Sequence, residues 1–327
     1  MSTTPPNPPL PVGQESDRPL GDATSSIAPT PMVIPDLIEL SSGKELDEAG
    51  ASKLQASLPV RLIVVAGPVG CGKTTLITSL YELFQWGKVS DYFFAGSSTL
   101  PAFERRCYLS RTASQRSMPD TERTLLGDVR YLHLRIWKDN FAKGPLDLLF
   151  TDVSGEAFEH ARDSVVECQR LHFLHQTDHF LLLLDSEKLV NKEQRWRVAH
   201  ESMTLLRTCL DSQMLNRTSL VDVLWTKFDY FLADQDQQKL KFLDSIKAEF
   251  ETEFSSRVGR LTFSQIAARP TETDTVEFGH GIANLLEDWA TVSPRERPMN
   301  ILPSNDFGSR ESESFASRHF NQTEESE

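Results

Sequence analysis

The nine residues GPVGCGKTT, at positions 67–75, decide the fold of this 327-residue chain. They follow RLIVVA (residues 61–66), an almost continuous hydrophobic run of the kind expected for a parallel strand covered on both faces. They precede apolar residues spaced as one face of a helix, among them Leu76, Leu80 and Leu83. A glycine-rich turn in this position curls so that its N–H groups and the helix N-terminus point at phosphate oxygens. The sequence therefore predicts a phosphate-binding loop.

The pattern G-x-x-x-x-G-K-[ST] assigns a task to individual residues of this loop. Lys73 is expected to meet the β- and γ-phosphates, and the Thr74 hydroxyl to bind Mg²⁺. Cys71 is interpreted as a small filler of the loop. The predicted nucleotide-binding residues here are Gly67, Pro68, Val69, Gly70, Cys71, Gly72, Lys73, Thr74 and Thr75.

Outside the loop, short β-branched runs alternate with stretches of helical period. Further strands are predicted at residues 131–137, 147–152, 179–184, 220–225 and 261–267, and helices at about 156–174, 192–211, 236–258 and 280–290. This alternation predicts an α/β fold of three layers, with a mostly parallel sheet and helices on both faces. Ligands of such sheets bind beyond the carboxyl ends of the strands.

Composition divides the chain into four parts. Nine of the 18 prolines lie within residues 1–35, which we expect to form a disordered tail. Residues 36–59 are a short adaptor with a helix near 45–58, residues 60–292 form the folded domain, and residues 293–327 are expected to be a disordered acidic tail.

The formal net charge of −13 argues against a general nucleic-acid partner, because neutralising phosphates requires a basic surface. The longest strongly apolar run, residues 180–184, is too short to cross a membrane. The four cysteines are widely spaced and form no C-x-x-C pair, which favours a reducing cytoplasm.

Two further motifs end predicted strands. In LLFTDVSG (residues 148–155), Asp152 stands at a strand tip, where it can hold Mg²⁺ through a water, and Gly155 lets its N–H approach the γ-phosphate. In LWTKFD (residues 224–229), the Asp229 carboxylate can accept from both N1–H and N2–H₂ of guanine, whereas adenine offers no such pair of donors. Thr226, Lys227 and Asp229 are therefore predicted to bind the base, with the Lys227 stem lying along it.

These three motifs, in this order, resemble those of the TRAFAC-type, Ras-like P-loop GTPases. The resemblance implies a fourth loop whose backbone N–H touches the guanine carbonyl; it would fall at QIAAR (residues 265–269), with Ala267 and Ala268 binding the nucleotide. FAGSSTLPAFE (residues 94–104), the basic stretch after it and TDVSGE (residues 151–156) resemble more specifically the bacterial double-GTPase domains of GTPase-associated conflict systems. This implies GTP and GDP as ligands and a signalling or immune-like role beside partner proteins.

A connection of about forty residues, 88–128, is far longer than the usual two to six and is expected to form an enlarged first switch containing a helix. A switch must supply an oxygen to Mg²⁺ and the γ-phosphate. Thr121 and Thr124 are the candidates, and Thr121 is preferred as the third metal-binding residue after Thr74 and Asp152.

The same connection carries Arg105, Arg106, Arg111 and Arg116. One of them could act as an arginine finger in cis, neutralising charge on the transferring phosphoryl group. The alternative for each is a solvated helix face.

Glu156 stands where Ras-like domains usually place a glutamine that orients the attacking water. A carboxylate can accept from that water but lies close to an anionic phosphate, so we expect slow hydrolysis, with Glu156 and Lys73 as the catalytic residues.

Two alternative functions stay open. One is an ATPase, because GPVGCGKTTL also resembles an ABC-transporter loop, although no LSGGQ-like sequence is present. The other is a GTP-binding interaction module that scarcely hydrolyses.

Overall fold

β1 (Val60–Ala66) is a central strand, and all seven of its residues are buried. Its even-numbered residues belong to one hydrophobic core, and Ile63 and Val65 belong to a second. This period of two is that of a strand covered on both faces, as its sequence predicts.

The computed structural model describes residues 42–110, 129–138, 144–232, 237–271 and 276–291. The predicted tails, residues 1–35 and 293–327, lie outside the described residues. So does the part of the long connection that holds Arg111, Arg116, Thr121 and Thr124.

The described strands form one seven-stranded sheet. Besides β1 they are β2 (Tyr92–Gly96), β3 (Arg130–Lys138), β4 (Leu146–Asp152), β5 (His179–Asp185), β6 (Leu220–Thr226) and β7 (Arg260–Gln265). Their order is β2-β3-β4-β1-β5-β6-β7. The five strands from β4 to β7 in this order pair in parallel, and β3 runs antiparallel to both β2 and β4. The carboxyl ends of the parallel strands therefore share one edge.

Helices cover both faces of the sheet. They are α1 (Glu48–Ser57), α2 (Lys73–Trp86), α3 (Leu100–Ser110), α4 (Gly155–Asp163), α5 (Val165–Gln169), α6 (Ser186–Leu189), α7 (Arg195–Asp211), α8 (Asp229–Leu232), α9 (Gln237–Phe254) and α10 (Ile282–Thr291). Side chains of α2, α3 and α10 fill one core, and those of the other helices fill the second. The predicted three-layer α/β fold is confirmed.

The structure differs from the sequence-based expectation in one long helix, in one strand and in two unpredicted four-residue helices, α6 and α8. The helix predicted at about 156–174 is three pieces, namely α4, α5 and a 3-10 helix (His172–Gln176). It breaks at Ser164, whose hydroxyl accepts from the Glu167 amide and so begins a new helix. β2 was not predicted, and it pairs with β3 at the edge of the sheet.

A short segment before α1, residues 42–47, pairs with β3 through one antiparallel bridge and is called here the N-terminal strap. Leu46 exchanges two backbone hydrogen bonds with Tyr131 of β3, of 3.0 and 2.9 Å. The Gly43 carbonyl accepts from the Ala102 amide of α3 at 3.1 Å. Asp47 caps α1 by accepting from the Gly50 amide at 2.8 Å. The N-terminal strap is thus fastened to β3 and α3.

None of the helices in the described ranges is long and apolar enough to cross a membrane.

Candidate functional site

The phosphate loop lies between β1 and α2, where the sequence places it. Gly72, which caps α2, has a φ of 97°, in the left-handed region that favours glycine. The Lys73 ammonium folds back over the loop and donates to the carbonyls of Gly67 and Pro68 at 2.9 and 3.0 Å. Thr74 follows, half-buried, in the first turn of α2. The Lys73 ammonium is therefore bound by two carbonyls of the same loop.

Cys71 fills the interior of the loop. Its side chain is fully buried, and burial raises the pKa of the thiol. A Cβ added to Gly67 would lie 2.8 Å from the Cys71 sulfur. A buried thiol with a raised pKa is a poor nucleophile, which agrees with a packing role.

The first residue of α4, three residues after the end of β4, contacts the phosphate loop directly. A Cβ on Gly155 would lie 2.3 Å from the Val69 backbone nitrogen, so only glycine fits. Ser154 caps α4 and accepts from the Ala157 amide at 3.3 Å. Glu156 is consequently placed in the first turn of α4, next to the contact between Gly155 and the loop.

Glu159 belongs to this site and was missed in the sequence. Its carboxylate accepts from the Val69 amide of the phosphate loop at 3.3 Å. A signal was available, because residues four apart lie on one face of a helix, and Glu159 is four residues after Gly155. The Glu159 carboxylate therefore accepts a hydrogen bond from a backbone amide that the motif assigns to phosphate.

Asp152, at the tip of β4, is buried and paired with the Arg106 guanidinium of α3, which also pairs with Glu45 of the N-terminal strap. Burial opposes the charged form of Arg106, but its contacts with Asp152 and Glu45 outweigh burial and raise its pKa. Burial alone would raise the pKa of Glu45. The hydrogen bond from Arg106 acts in the opposite direction, and the pKa of Glu45 lies below its usual value. Arg106 was a finger candidate, and its guanidinium is engaged by these two carboxylates.

The loop at the end of β6, which is predicted to bind the base, is tied to the phosphate loop through Thr226. The Thr226 hydroxyl lies 2.7 Å from the Cys71 carbonyl and 3.1 Å from the Leu184 carbonyl of β5. One side chain thus bridges three neighbouring strand ends.

Lys227 adopts a left-handed φ of 52° and donates to Asp185 at 3.0 Å and Glu187 at 2.7 Å. Burial would lower the pKa of Lys227, but these two carboxylates raise it. The ammonium is therefore fixed at the carboxyl end of β5.

Asp229 begins α8, and its carboxylate accepts from the backbone amide and hydroxyl of Thr271, at 3.1 and 3.3 Å. The Phe228 amide donates to the Ile266 carbonyl at 3.0 Å, which joins this loop to the one after β7. There the Ala267 amide donates to the His280 carbonyl at 3.1 Å. A contact of Ala267 or Ala268 with the guanine carbonyl stays a prediction. Thr121 lies outside the described residues.

The donor set at the sheet edge fits Mg²⁺. The Thr74 hydroxyl and the Asp152 carboxylate are hard oxygen ligands of the kind that Mg²⁺ takes in small numbers alongside phosphate oxygens and water. Asp152 is the last residue of β4, and Thr74 lies in α2, which follows β1, the strand that pairs directly with β4.

Comparison with known proteins gives one family. The family model described as Double-GTPase 2 matches residues 61–290. The search of curated proteins gave no match. Among solved structures, the chain is similar to the apo cytosolic domain of the FeoB iron transporter from T. maritima, at 14% identity over 73% of this chain and 67% of that chain, with a TM-score of 0.33. A likeness at that level carries no argument about function.

Replacing Gly155 with alanine should destabilise the protein. The added methyl would meet backbone atoms of Pro68 and Val69, so the phosphate loop or α4 must shift. We expect the free energy of unfolding to fall by about 1–3 kcal/mol, measured by urea denaturation. Gly50→Ala in α1 is the matched control, because its nearest neighbours are side-chain atoms at 3.3 Å. Equal stability of Gly155→Ala and the parent would contradict this close packing.

Proposed function

The chain belongs to the Double-GTPase 2 family, and from this premise we propose that it binds GTP with Mg²⁺ and hydrolyses it slowly to GDP and phosphate. We further propose that residues 88–128 change conformation with the nucleotide and engage a protein partner, in a bacterial conflict or signalling system. Family membership and the length of that connection support the second part. A cytoplasmic location belongs to the proposal, supported by four cysteines that are all free and buried.

The observation that carries the proposal is the Thr226 bridge between the base-binding and phosphate loops. A nucleoside triphosphate has an anionic end and a base end, and one ligand can use both loops only if they stand at a fixed separation. The bond from Thr226 to the Cys71 carbonyl sets that separation within the protein itself.

When a nucleotide binds, groups of the phosphate loop exchange hydrogen-bond partners within the protein for phosphate oxygens. The Lys73 ammonium leaves the Gly67 and Pro68 carbonyls for phosphate oxygens, and the Val69 amide leaves Glu159. Mg²⁺, held by Thr74 and Asp152, would neutralise charge on the phosphates. Gly155 moves with the phosphate loop because the two backbones are in contact.

Glu156 is the proposed residue that accepts a hydrogen bond from the attacking water. It follows Gly155, so the contact between Gly155 and the loop keeps it beside the terminal phosphate. A carboxylate there is less suited than a neutral amide, because like charges repel at short range. This supports slow turnover rather than none.

The ATPase alternative is disfavoured by family membership and by Asp229, whose carboxylate suits the two donors of guanine. The interaction module with negligible hydrolysis differs from the proposal only in turnover, so single-turnover measurement decides between them.

Asp229→Asn should move base preference from guanine to xanthine, because the amide can donate to the C2 carbonyl of xanthine. We expect the affinity for GTP to fall on the order of 10²-fold and that for XTP to rise correspondingly. Competition against a fluorescent nucleotide measures both. Asp244→Asn, on the exposed face of α9, is the control and should bind as the parent does. Retained preference for GTP in Asp229→Asn would contradict the base site.

Glu156→Ala should slow phosphate release on the order of 10²-fold in single-turnover measurements, with GTP affinity nearly unchanged, because it removes the acceptor for the attacking water. Glu251→Ala in α9 is the control. If Glu156→Ala releases phosphate at the parent rate, Glu156 has no part in hydrolysis; if the parent itself releases none, the interaction module is the better description.

A further inference from the structure

Three charged side chains, two of them buried and one half-buried, form a triad beside the proposed metal-binding end of the site. Arg106 donates through one terminal nitrogen to Glu45 and through the other to Asp152. The side chains of Glu45, Arg106 and Asp152 are 13%, 8% and 2% exposed. One guanidinium therefore serves two carboxylates, one of which is a proposed ligand of Mg²⁺.

The backbone fixes both ends of the triad. The N-terminal strap is held to β3 by the two bonds between Leu46 and Tyr131, which place Glu45 beside α3. α3 is held to the strap by the bond from the Ala102 amide to the Gly43 carbonyl, one helical turn before Arg106. Rotation of the Arg106 side chain between the two carboxylates would break none of these backbone bonds.

The guanidinium also carries an unsatisfied group. The Nε of Arg106 is buried and has no hydrogen-bond partner among the described residues. Turned wholly towards Glu45, the guanidinium could use Nε and a terminal nitrogen together, in the bidentate geometry that suits a carboxylate. When Arg106 is bonded to both Glu45 and Asp152, its Nε makes no such contact.

We propose that Arg106 is a positioning residue that competes with Mg²⁺ for Asp152. When Mg²⁺ binds Asp152, the Arg106 guanidinium leaves Asp152 and pairs with Glu45 of the N-terminal strap alone. The inference rests on the proposed function, since it concerns the metal ion of that site. A cation next to a metal ligand repels the metal and occupies the ligand, so Arg106 weakens Mg²⁺ binding. Glu45 offsets this by offering Arg106 a second acceptor.

The strap and the metal site are then coupled in both directions. Since linkage is reciprocal, Mg²⁺ binding strengthens the contact between Arg106 and Glu45, and any displacement of the strap weakens Mg²⁺ binding. The segment preceding the nucleotide-binding domain is thereby able to sense the nucleotide site.

The test measures how the affinity for a fluorescent GDP depends on the concentration of Mg²⁺, in the full chain and its variants. For Arg106→Gln, the half-saturating concentration of Mg²⁺ should fall by about tenfold, because a competing cation is removed. For Glu45→Gln it should rise by about threefold, because Arg106 keeps Asp152 as its partner. Glu45→Gln should have no effect when Arg106 is already glutamine.

Arg105→Gln is the matched control. Arg105 is the neighbouring residue on α3 and also contacts Glu45, at 3.1 Å, but its side chain is 59% exposed. The half-saturating Mg²⁺ concentration should stay at the parent value. A second readout is the rise in melting temperature that Mg²⁺ gives in the presence of GDP, which should be larger in Arg106→Gln and smaller in Glu45→Gln.

An unchanged or raised Mg²⁺ requirement in Arg106→Gln overturns the inference. Should that variant not fold, Glu45→Gln decides alone, and a lowered or unchanged requirement overturns it. If the parent protein binds GDP with no dependence on Mg²⁺, or does not bind GDP, the proposed function fails as well. Parent binding with the expected Mg²⁺ dependence, but without the shifts in the variants, overturns the inference and leaves the proposed function standing.

Discussion

The parallel pairing of β4, β1, β5, β6 and β7 is the constraint on which the site depends. Parallel strands in register end at a common edge, so residues far apart in the chain, from Cys71 to Ala268, emerge side by side. Two hydrophobic cores, one on each face, hold this register, because slipping a strand by one residue would exchange its buried faces. The Thr226 hydroxyl adds a direct bond across three of these strand ends.

Much of the fold could be predicted because its signals are local. The continuous apolar run of β1, the turn after it and the helical period of α2 lie within about 25 residues, and each agrees with the others. β2 could not be predicted in this way. Phe93 and Phe94 of this edge strand are both exposed, so the strand lacks the alternation that marks a half-buried one. The break at Ser164 did have a local signal, a serine three residues before a glutamate, as in a capping box.

The candidate site also has parts with a local sequence signal and parts without one. The loops could be placed from their motifs, whereas the partners of their charged side chains could not be predicted. Arg106 and Asp152 are 46 residues apart, and Arg106 and Glu45 are 61 apart, with no period or motif that links them. Such pairs depend on how α3 and the strap lie on the sheet, which the packing of the whole domain decides. The sequence assigns no role to the adaptor, whose Glu45 pairs with Arg106.

Charged groups at this edge have partners within the protein. Lys73 is paired with loop carbonyls, Lys227 with Asp185 and Glu187, and Asp152 with Arg106. A ligand must therefore replace existing contacts, and its net binding energy is the difference between two sets of interactions. This makes affinity responsive to small changes in the internal partners, which suits a switch better than a permanently filled site.

The central claim is that the loops at residues 67–75, 152–156 and 226–229 bind one guanine nucleotide together. Amide hydrogen exchange with and without nucleotide and Mg²⁺ tests it most directly, because exchange reports each loop separately. We expect GTP to slow exchange in all three loops over the same concentration range, and ATP to leave exchange in the loop at 226–229 unchanged. Protection confined to residues 67–75, or equal protection of all three loops by ATP, would contradict it.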